Sequence, residues 1–212
     1  SAEIMPTVML RHPGVDWRFA GEQKERMEAM GSLATAAIVA VMSIFILIAV
    51  PLRSYLQAIV IMLTIPFGYV GAVFGHWVFD FQMSFLSTIG IMACSGVVVN
   101  DSLVLVSFMN RLREKGATIR EAAISAGGRR FRPIMLTSAT TFAGLIPVML
   151  ERSSQAQFVK PMAISLGFGV LVATFFTLFM IPAAMVVVED ARQGSRRMGQ
   201  WLLEELGAKD TV

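Results

Sequence analysis

Charged residues are scarce in this chain, and so are cysteines. Only 16% of the 212 residues are Asp, Glu, Lys or Arg, whereas an ordinary soluble domain has about 25%. With 55% hydrophobic residues and a mean hydropathy of +0.66, the composition indicates an integral membrane protein. The single cysteine, Cys94, excludes an internal disulfide and is interpreted as a small buried side chain.

Signatures of soluble enzymes are missing as well. The sequence has no nucleophile triad, zinc-ligand spacing or phosphate loop, and Gly127-Gly128 lacks the Lys-Ser continuation of a P-loop. ATP hydrolysis by this chain is therefore not expected, and neither a cofactor nor a metal is predicted. The net charge of +3 is better explained by membrane orientation than by nucleic acid, and the 15 scattered methionines are interpreted as apolar filler.

Five long apolar runs separate the charged segments. They are predicted to form membrane helices over residues 32–50, 54–79, 81–110, 133–150 and 161–188. Each approaches the roughly 20 residues that a helix needs to cross the hydrocarbon core, and the absence of alternation argues against a barrel. Residues 1–31 are interpreted as a short α+β piece, with two strands and a polar helical connector. The predicted fold class is an all-α bundle of five transmembrane helices preceded by this remnant.

Lys and Arg are unevenly distributed between the two sides of the predicted bundle. Segment 111–132, predicted as a loop carrying a short amphipathic helix, has seven, and the tail 189–212 has four. By the positive-inside rule both are cytoplasmic, which places residues 1–31 outside. No cleavable signal peptide is recognised in that first segment, and its start without Met is interpreted as a cut from a larger protein.

One carboxylate lies at membrane depth in the third predicted helix. Asp101, beside Asn100, is the only formal charge in residues 81–110. Such an acid is costly in the bilayer and usually faces a bundle interior, where it marks an ion pathway. Asp101 shares a helix face with Gly90 and Cys94. Because small residues precede it, another helix can pack closely there, and the carboxyl is predicted to point into protein as part of a proton or cation relay.

The fourth predicted helix offers partners for this acid. Arg130, Thr137 and Gly144 recur every seven residues and share a face. A threonine hydroxyl can bond a carboxylic acid, and Arg130 offers a charge from the cytoplasmic end. Simpler readings stay open: Asp101 as a structural acid, Thr137 as a packing hydroxyl bonded to its own backbone, and Arg130 as a cation that sets topology.

The second predicted helix carries a stripe of small residues. Gly68, Gly71 and Gly75 recur every three or four positions, a spacing that lets a neighbouring backbone approach closely. His76 and Trp77, near its end, are interpreted as interfacial side chains rather than as a metal or proton site.

Four stretches resemble the C-terminal membrane half of a resistance-nodulation-division efflux pump of the acriflavine-resistance type. Their order and spacing agree with that family over nearly the whole chain. They are Gly21-Glu-Gln, Pro66-Phe-Gly68, Thr88-Ile-Gly with Gly96-Val-Val-Val-Asn100-Asp101-Ser-Leu-Val-Leu-Val, and Arg130-Phe-Arg132-Pro-Ile-Met-Leu-Thr137-Ser with Thr141-Phe-Ala-Gly144. The resemblance implies that the five spans are the eighth to twelfth membrane helices, preceded by the end of a periplasmic porter domain.

The same resemblance implies a function. Such pumps are proton/drug antiporters of the bacterial inner membrane that work as homotrimers, with a periplasmic adaptor and an outer-membrane channel. It assigns a proton relay to Asn100, Asp101, Arg130 and Thr137. This sequence departs from the family pattern at Asn100, which stands where the relay lysine is expected. Export of metals or lipids, and a non-transporting anchor or assembly module, are the alternative functions.

Overall fold

The structure, a computed structural model, describes the backbone of residues 22–209 and the side chains of residues 31–33 and 35–192. It has six helices: α1 (Glu22–Leu52), α2 (Tyr55–Met62), α3 (Ile65–Val78), α4 (Phe85–Glu114), α5 (Ile119–Leu150) and α6 (Ser154–Lys209). Within this described backbone there is no strand, and the predicted α+β piece lies mostly outside it. Five segments are long and apolar enough to cross a membrane, because α2 and α3 together form one span.

Side-chain caps fix where the helices begin. Ser54 precedes α2 and accepts a hydrogen bond from the Gln57 amide at 3.5 Å. Thr118 and Glu121 form a capping box before α5, in which the Glu121 carboxylate accepts from the Thr118 amide at 2.9 Å. Caps of this kind satisfy amides at the first turn, which have no partner within the helix.

The second membrane span is interrupted between α2 and α3. α2 ends at Met62, and α3 begins at Ile65 with Pro66 in its first turn. Proline favours this position because its missing amide would be unpaired there anyway. At the break, the Thr64 hydroxyl donates to the Ile61 carbonyl at 2.6 Å, so the interruption keeps its polar groups satisfied at membrane depth.

The predicted loop over residues 111–132 differs from the structure. α4 continues to Glu114 and α5 begins at Ile119, so only four residues connect them. The short helix predicted in this segment is the first part of α5, which passes through Gly127, Gly128 and Pro133 without ending. Membrane helices tolerate glycine and proline when freed backbone groups find other partners. One turn beyond the proline, the Thr137 hydroxyl donates to the Pro133 carbonyl at 2.6 Å.

The last helix is also longer than predicted. α6 begins at Ser154 rather than at 161, and its backbone continues to Lys209 through most of the segment predicted as a tail. The part of α6 that is apolar enough to cross a membrane is Ser154–Arg192.

α6 is the central helix, packed against α3, α4 and α5. The predicted close approach at the small residues of α3 is confirmed. A Cβ at Gly71 would lie 2.6 Å from the Phe168 carbonyl oxygen, and one at Gly75 would meet the Phe168 ring at the same distance. On α4, a Cβ at Gly90 would lie 2.5 Å from the Met162 carbonyl oxygen. These glycines let α3 and α4 pack directly against the backbone of α6.

Candidate functional site: a buried carboxyl between α4 and α6

Asp101 is buried inside the compact unit Val41–Val212. Its side chain is 8% exposed and lies on the stripe of α4 that also carries Gly90, Cys94, Val98 and Leu105, each of them buried. This stripe faces the other helices of the same chain, since residues spaced by three and four share one helix face. The carboxyl group therefore points into protein, as the surrounding small residues indicated.

The register between α4 and α6 identifies what lies level with Asp101. Both helices run in the same direction. Cys94 is opposite Gly169, where an added Cβ would lie 2.8 Å from the Cys94 sulfur, and Arg113 pairs with Glu189 at 3.2 Å. The residue numbers of facing positions on α4 and α6 thus differ by 75 at the first contact and by 76 at the second. Asp101 consequently lies level with residues 176–177 of α6.

Two buried oxygen atoms at this level have no hydrogen-bond partner. They are Asp101 Oδ2 and Thr177 Oγ1, and Thr177 is 1% exposed. Asp101 also forms no ion pair with any residue that the structure describes. Buried polar atoms are nearly always hydrogen-bonded, so an isolated exception marks a candidate functional group. This level of the α4–α6 contact holds an unpaired carboxyl oxygen and an unpaired hydroxyl, and it is named the polar centre.

Further hydroxyl groups surround this centre. Ser102, next to Asp101 and fully buried, donates to the Val98 carbonyl at 2.7 Å and lies 3.4 Å from the Thr64 hydroxyl. On α6, the Thr174 hydroxyl lies 2.7 Å from that of Ser138 on α5, and both side chains are buried. The polar centre thus collects groups from α4, α5, α6 and the break between α2 and α3.

The other three predicted relay residues lie elsewhere. Asn100 and Thr137 are exposed, and the Thr137 hydroxyl bonds its own backbone at Pro133. The Arg130 guanidinium lies 4.7 Å from the centre of the Phe108 ring, which is a cation–π contact between α5 and α4. Phe108 is two helical turns, about 10 Å, beyond Asp101. The structure joins none of these three residues to Asp101 by a hydrogen bond.

Sequence reasoning placed Ser138 near the partners of Asp101 but missed Thr174 and Thr177. The signal was present in part, because hydroxyl residues three positions apart in an otherwise apolar segment mark one face of α6. Which face of α6 meets Asp101 depends on the α4–α6 register, which one sequence does not reveal.

His76, predicted as an interfacial residue, is buried among protein side chains near the end of α3. It is 4% exposed, and its Nε2 lies 2.8 Å from the Ser87 hydroxyl, while Nδ1 lies 2.9 Å from the Ala72 carbonyl. A carbonyl only accepts, so Nδ1 carries the proton. Trp77, by contrast, is 77% exposed, as expected of an interfacial side chain.

Comparison with known protein families gives a match over most of the chain. The model of the AcrB/AcrD/AcrF family matches residues 2–189. Multidrug resistance protein MdtC of Proteus mirabilis (strain HI4320) is 30% identical over 176 residues, which are 82% of this chain and 17% of that protein. MdtC of Erwinia tasmaniensis is 27% identical over 179 residues, or 84% of this chain and 18% of that protein. The chain spans less than a fifth of the length of these relatives.

Solved structures share the fold. The crystal structure of a heavy metal efflux pump superposes with a TM-score of 0.70 and 23% identity in one crystal form, covering 89% of this chain and 19% of the pump. A second crystal form gives a TM-score of 0.72 at 21% identity, covering 86% of this chain. At these identities the likeness shows the fold of the membrane bundle.

Proposed function

Since the chain belongs to the AcrB/AcrD/AcrF family of resistance-nodulation-division efflux pumps, we propose that it forms part of a proton-driven antiporter that exports drugs or other amphiphilic compounds from the inner membrane or periplasm. The observation that carries this proposal is the unpaired, buried carboxyl of Asp101. An ionised carboxylate there has no counter-ion within the described bundle. Binding a proton neutralises it, so gain and loss of a proton changes the charge at the point where four membrane segments meet.

The surrounding groups suit this role. Thr177 Oγ1 is free to donate or accept a hydrogen bond, and a hydroxyl does both. The hydroxyls of Thr64 and Ser102 donate to carbonyls, so their oxygen lone pairs remain available as acceptors. A water bound between the carboxyl and Thr177 would have the two or more polar partners that a buried water needs. We propose that the relay in this half of the pump runs between α4 and α6 through Asp101 and Thr177.

We propose that the other three relay candidates take part in the relay from the outer side of the bundle. They are Asn100, Thr137 and Arg130. Asn100 and Thr137 are polar groups at membrane depth on exposed surface, and the nearby glycines Gly96 and Gly144 have nothing within 4 Å of an added Cβ. A polar amide against lipid is costly, whereas a second helix packs well on small residues. By resemblance to the family, the remainder of the pump covers this face and supplies the acids that complete the relay.

Transport in proteoliposomes tests this proposal. We expect the full-length protein to accumulate a fluorescent amphiphilic drug when a pH gradient is imposed, and a protonophore to abolish the accumulation. A proton-motive force of 100 mV contributes about 2.3 kcal/mol for each proton moved. Transport that persists after the protonophore, or that follows a sodium gradient instead, would rule out proton coupling. A matched protein-free vesicle controls for passive partitioning of the drug.

Replacement of Thr177 separates a relay role from a packing role. Valine has nearly the same shape and removes a buried hydroxyl that has no partner, so Thr177→Val is expected to keep or raise stability, by up to about 1–3 kcal/mol. If the hydroxyl carries the proton path, proton-coupled transport in this variant falls severalfold, and Thr177→Ser restores it. Unchanged transport in Thr177→Val, with the raised stability, would remove Thr177 from the relay. Thermal unfolding and dye-reported proton uptake are the two measurements.

A further inference from the structure

A polar cavity of about 530 Å³ opens at one end of the bundle, away from Asp101. Its walls are the turn between α1 and α2, with Arg53 and Tyr55, and the last turn of α4. Arg192, on α6, closes the remaining side. Because one membrane span ends at Leu52 and the next begins at Tyr55, the cavity lies at the membrane boundary. The positive-inside expectation makes this boundary the cytoplasmic one.

Positive charge is in excess around this cavity. Three guanidinium groups line it, from Arg53, Arg113 and Arg192, against one carboxylate, that of Glu114. Arg113 is paired with Glu189 at 3.2 Å. Arg53 and Arg192 form no ion pair with any side chain between residues 35 and 192. Arg53 and Arg192 therefore face the cavity outside any ion pair among those residues, and Glu114 is the one carboxylate beside them.

The backbone at Arg53 is itself unusual. Its φ of 48° lies in the left-handed region, where residues with a Cβ are uncommon and glycine is favoured. The turn would accept glycine with less strain. A long cationic side chain at such a position points to a role for the charge rather than for the turn.

Two amide side chains that line the cavity are already hydrogen-bonded to each other. The amides of Gln57 and Asn110 bond each other reciprocally, with Asn110 Nδ2 donating at 2.8 Å and Gln57 Nε2 donating at 3.1 Å. This pair holds α2 against α4. These two amides are already paired, so Arg53 and Arg192 are the cationic groups left for a ligand.

An apolar surface leads from the cavity into the membrane. On α2 and just beyond it, Leu56, Ile59 and Leu63 are 40%, 53% and 58% exposed and follow one face. Tyr55, 74% exposed, lies at the mouth of the cavity, where its hydroxyl is at the level expected for lipid headgroups. A ligand that fits both features has an anionic head and long apolar chains.

We propose that this cavity binds the phosphate headgroup of an anionic phospholipid, held by Arg53 and Arg192, with acyl chains lying along Leu56, Ile59 and Leu63. Arginine binds phosphate oxygens through its planar fork of donors. Basic pockets between membrane helices on the cytoplasmic side are suited to such headgroups. The apolar surface is what favours a lipid over free phosphate, which would use the arginines alone.

Native mass spectrometry of the full-length protein in detergent tests this site. The protein is titrated with phosphatidylglycerol, with phosphatidylcholine and with inorganic phosphate. We expect phosphatidylglycerol to bind roughly thirtyfold more weakly to the Arg53→Gln/Arg192→Gln variant than to the unchanged protein. Each surface cation contributes about a fivefold factor in affinity for an anionic lipid. The matched control, Arg129→Gln/Arg132→Gln, removes the same charge from two exposed positions on α5 and should bind like the unchanged protein.

Each outcome decides the proposal. A phospholipid site is supported if only the Arg53→Gln/Arg192→Gln variant loses bound phosphatidylglycerol and if millimolar inorganic phosphate does not displace this lipid from the unchanged protein. Equally weakened phosphatidylglycerol binding in both double variants would show a general charge effect and overturn the proposal. Displacement of the lipid by inorganic phosphate, or equal binding of phosphatidylcholine, would overturn the assignment to an anionic lipid. Because both arginines are at the surface, circular dichroism is expected to show unchanged helix content, and Arg53→Gly provides a second charge-removing variant that suits the left-handed turn.

Discussion

Replacing Asp101 with Asn in the full-length protein is expected to abolish proton-coupled transport while leaving the membrane bundle folded. Asparagine keeps the size and shape of the side chain but neither gains nor loses a proton. A pump that loses one coupled charge loses about 2.3 kcal/mol per 100 mV, which corresponds to about fiftyfold in a drug concentration ratio. Drug accumulation in cells and pH-dye quenching in proteoliposomes measure the loss.

The control is the same chemical change at an exposed acid. Asp80, in the turn after α3, is exposed and has a φ of 48°, a conformation that asparagine adopts readily. Asp80→Asn should therefore fold and transport like the unchanged protein. If Asp101→Asn also transports drug and takes up protons normally, the buried carboxyl is a structural group, and proton coupling must be sought in another part of the pump.

The second large effect is expected at the contact between α3 and α6. In Gly71→Ala the added methyl group would lie 2.6 Å from the Phe168 carbonyl oxygen and 2.9 Å from the Gly169 Cα. These are backbone atoms, which cannot rotate away, so the helices must separate. Overpacking of this kind costs about 1–3 kcal/mol or more. We expect lower thermal stability and a lower yield of folded protein in detergent.

A glycine in open space provides the comparison. Gly128 lies inside α5, is exposed, and has nothing within 4 Å of an added Cβ. Gly128→Ala should leave stability unchanged or raise it by up to about 1 kcal/mol, because alanine favours the helix. Equal destabilisation in both variants would mean that helix flexibility, rather than close packing against α6, explains the effect at Gly71.

The membrane spans could be predicted because the hydrophobicity of a segment follows directly from its own residues. The five apolar runs correspond to the five segments long enough to span, and the small residues of α3 predicted its close packing. Helix ends were predicted less well. Glycine and proline end helices in water, so Gly127, Gly128 and Pro133 suggested a loop, although the capping box at Thr118 and Glu121 marked the true start of α5.

The candidate site was predictable to the level of one residue. An isolated carboxylate among apolar neighbours on α4 already indicated burial, and the structure places Asp101 inside the bundle. Its surroundings were not predictable, since they depend on how α4 and α6 align. That alignment brings Thr177 level with Asp101 and leaves Thr137 on the outer surface, bonded to its own backbone.

Asn100 and Asp101 are consecutive in sequence, yet one side chain is exposed and the other buried. Consecutive side chains on an α-helix diverge by about a third of a turn. An axial twist of α4 by that angle is therefore all that separates a carboxyl enclosed by its own chain from one presented to a neighbour. A spectroscopic distance probe at position 100 would report such a twist directly.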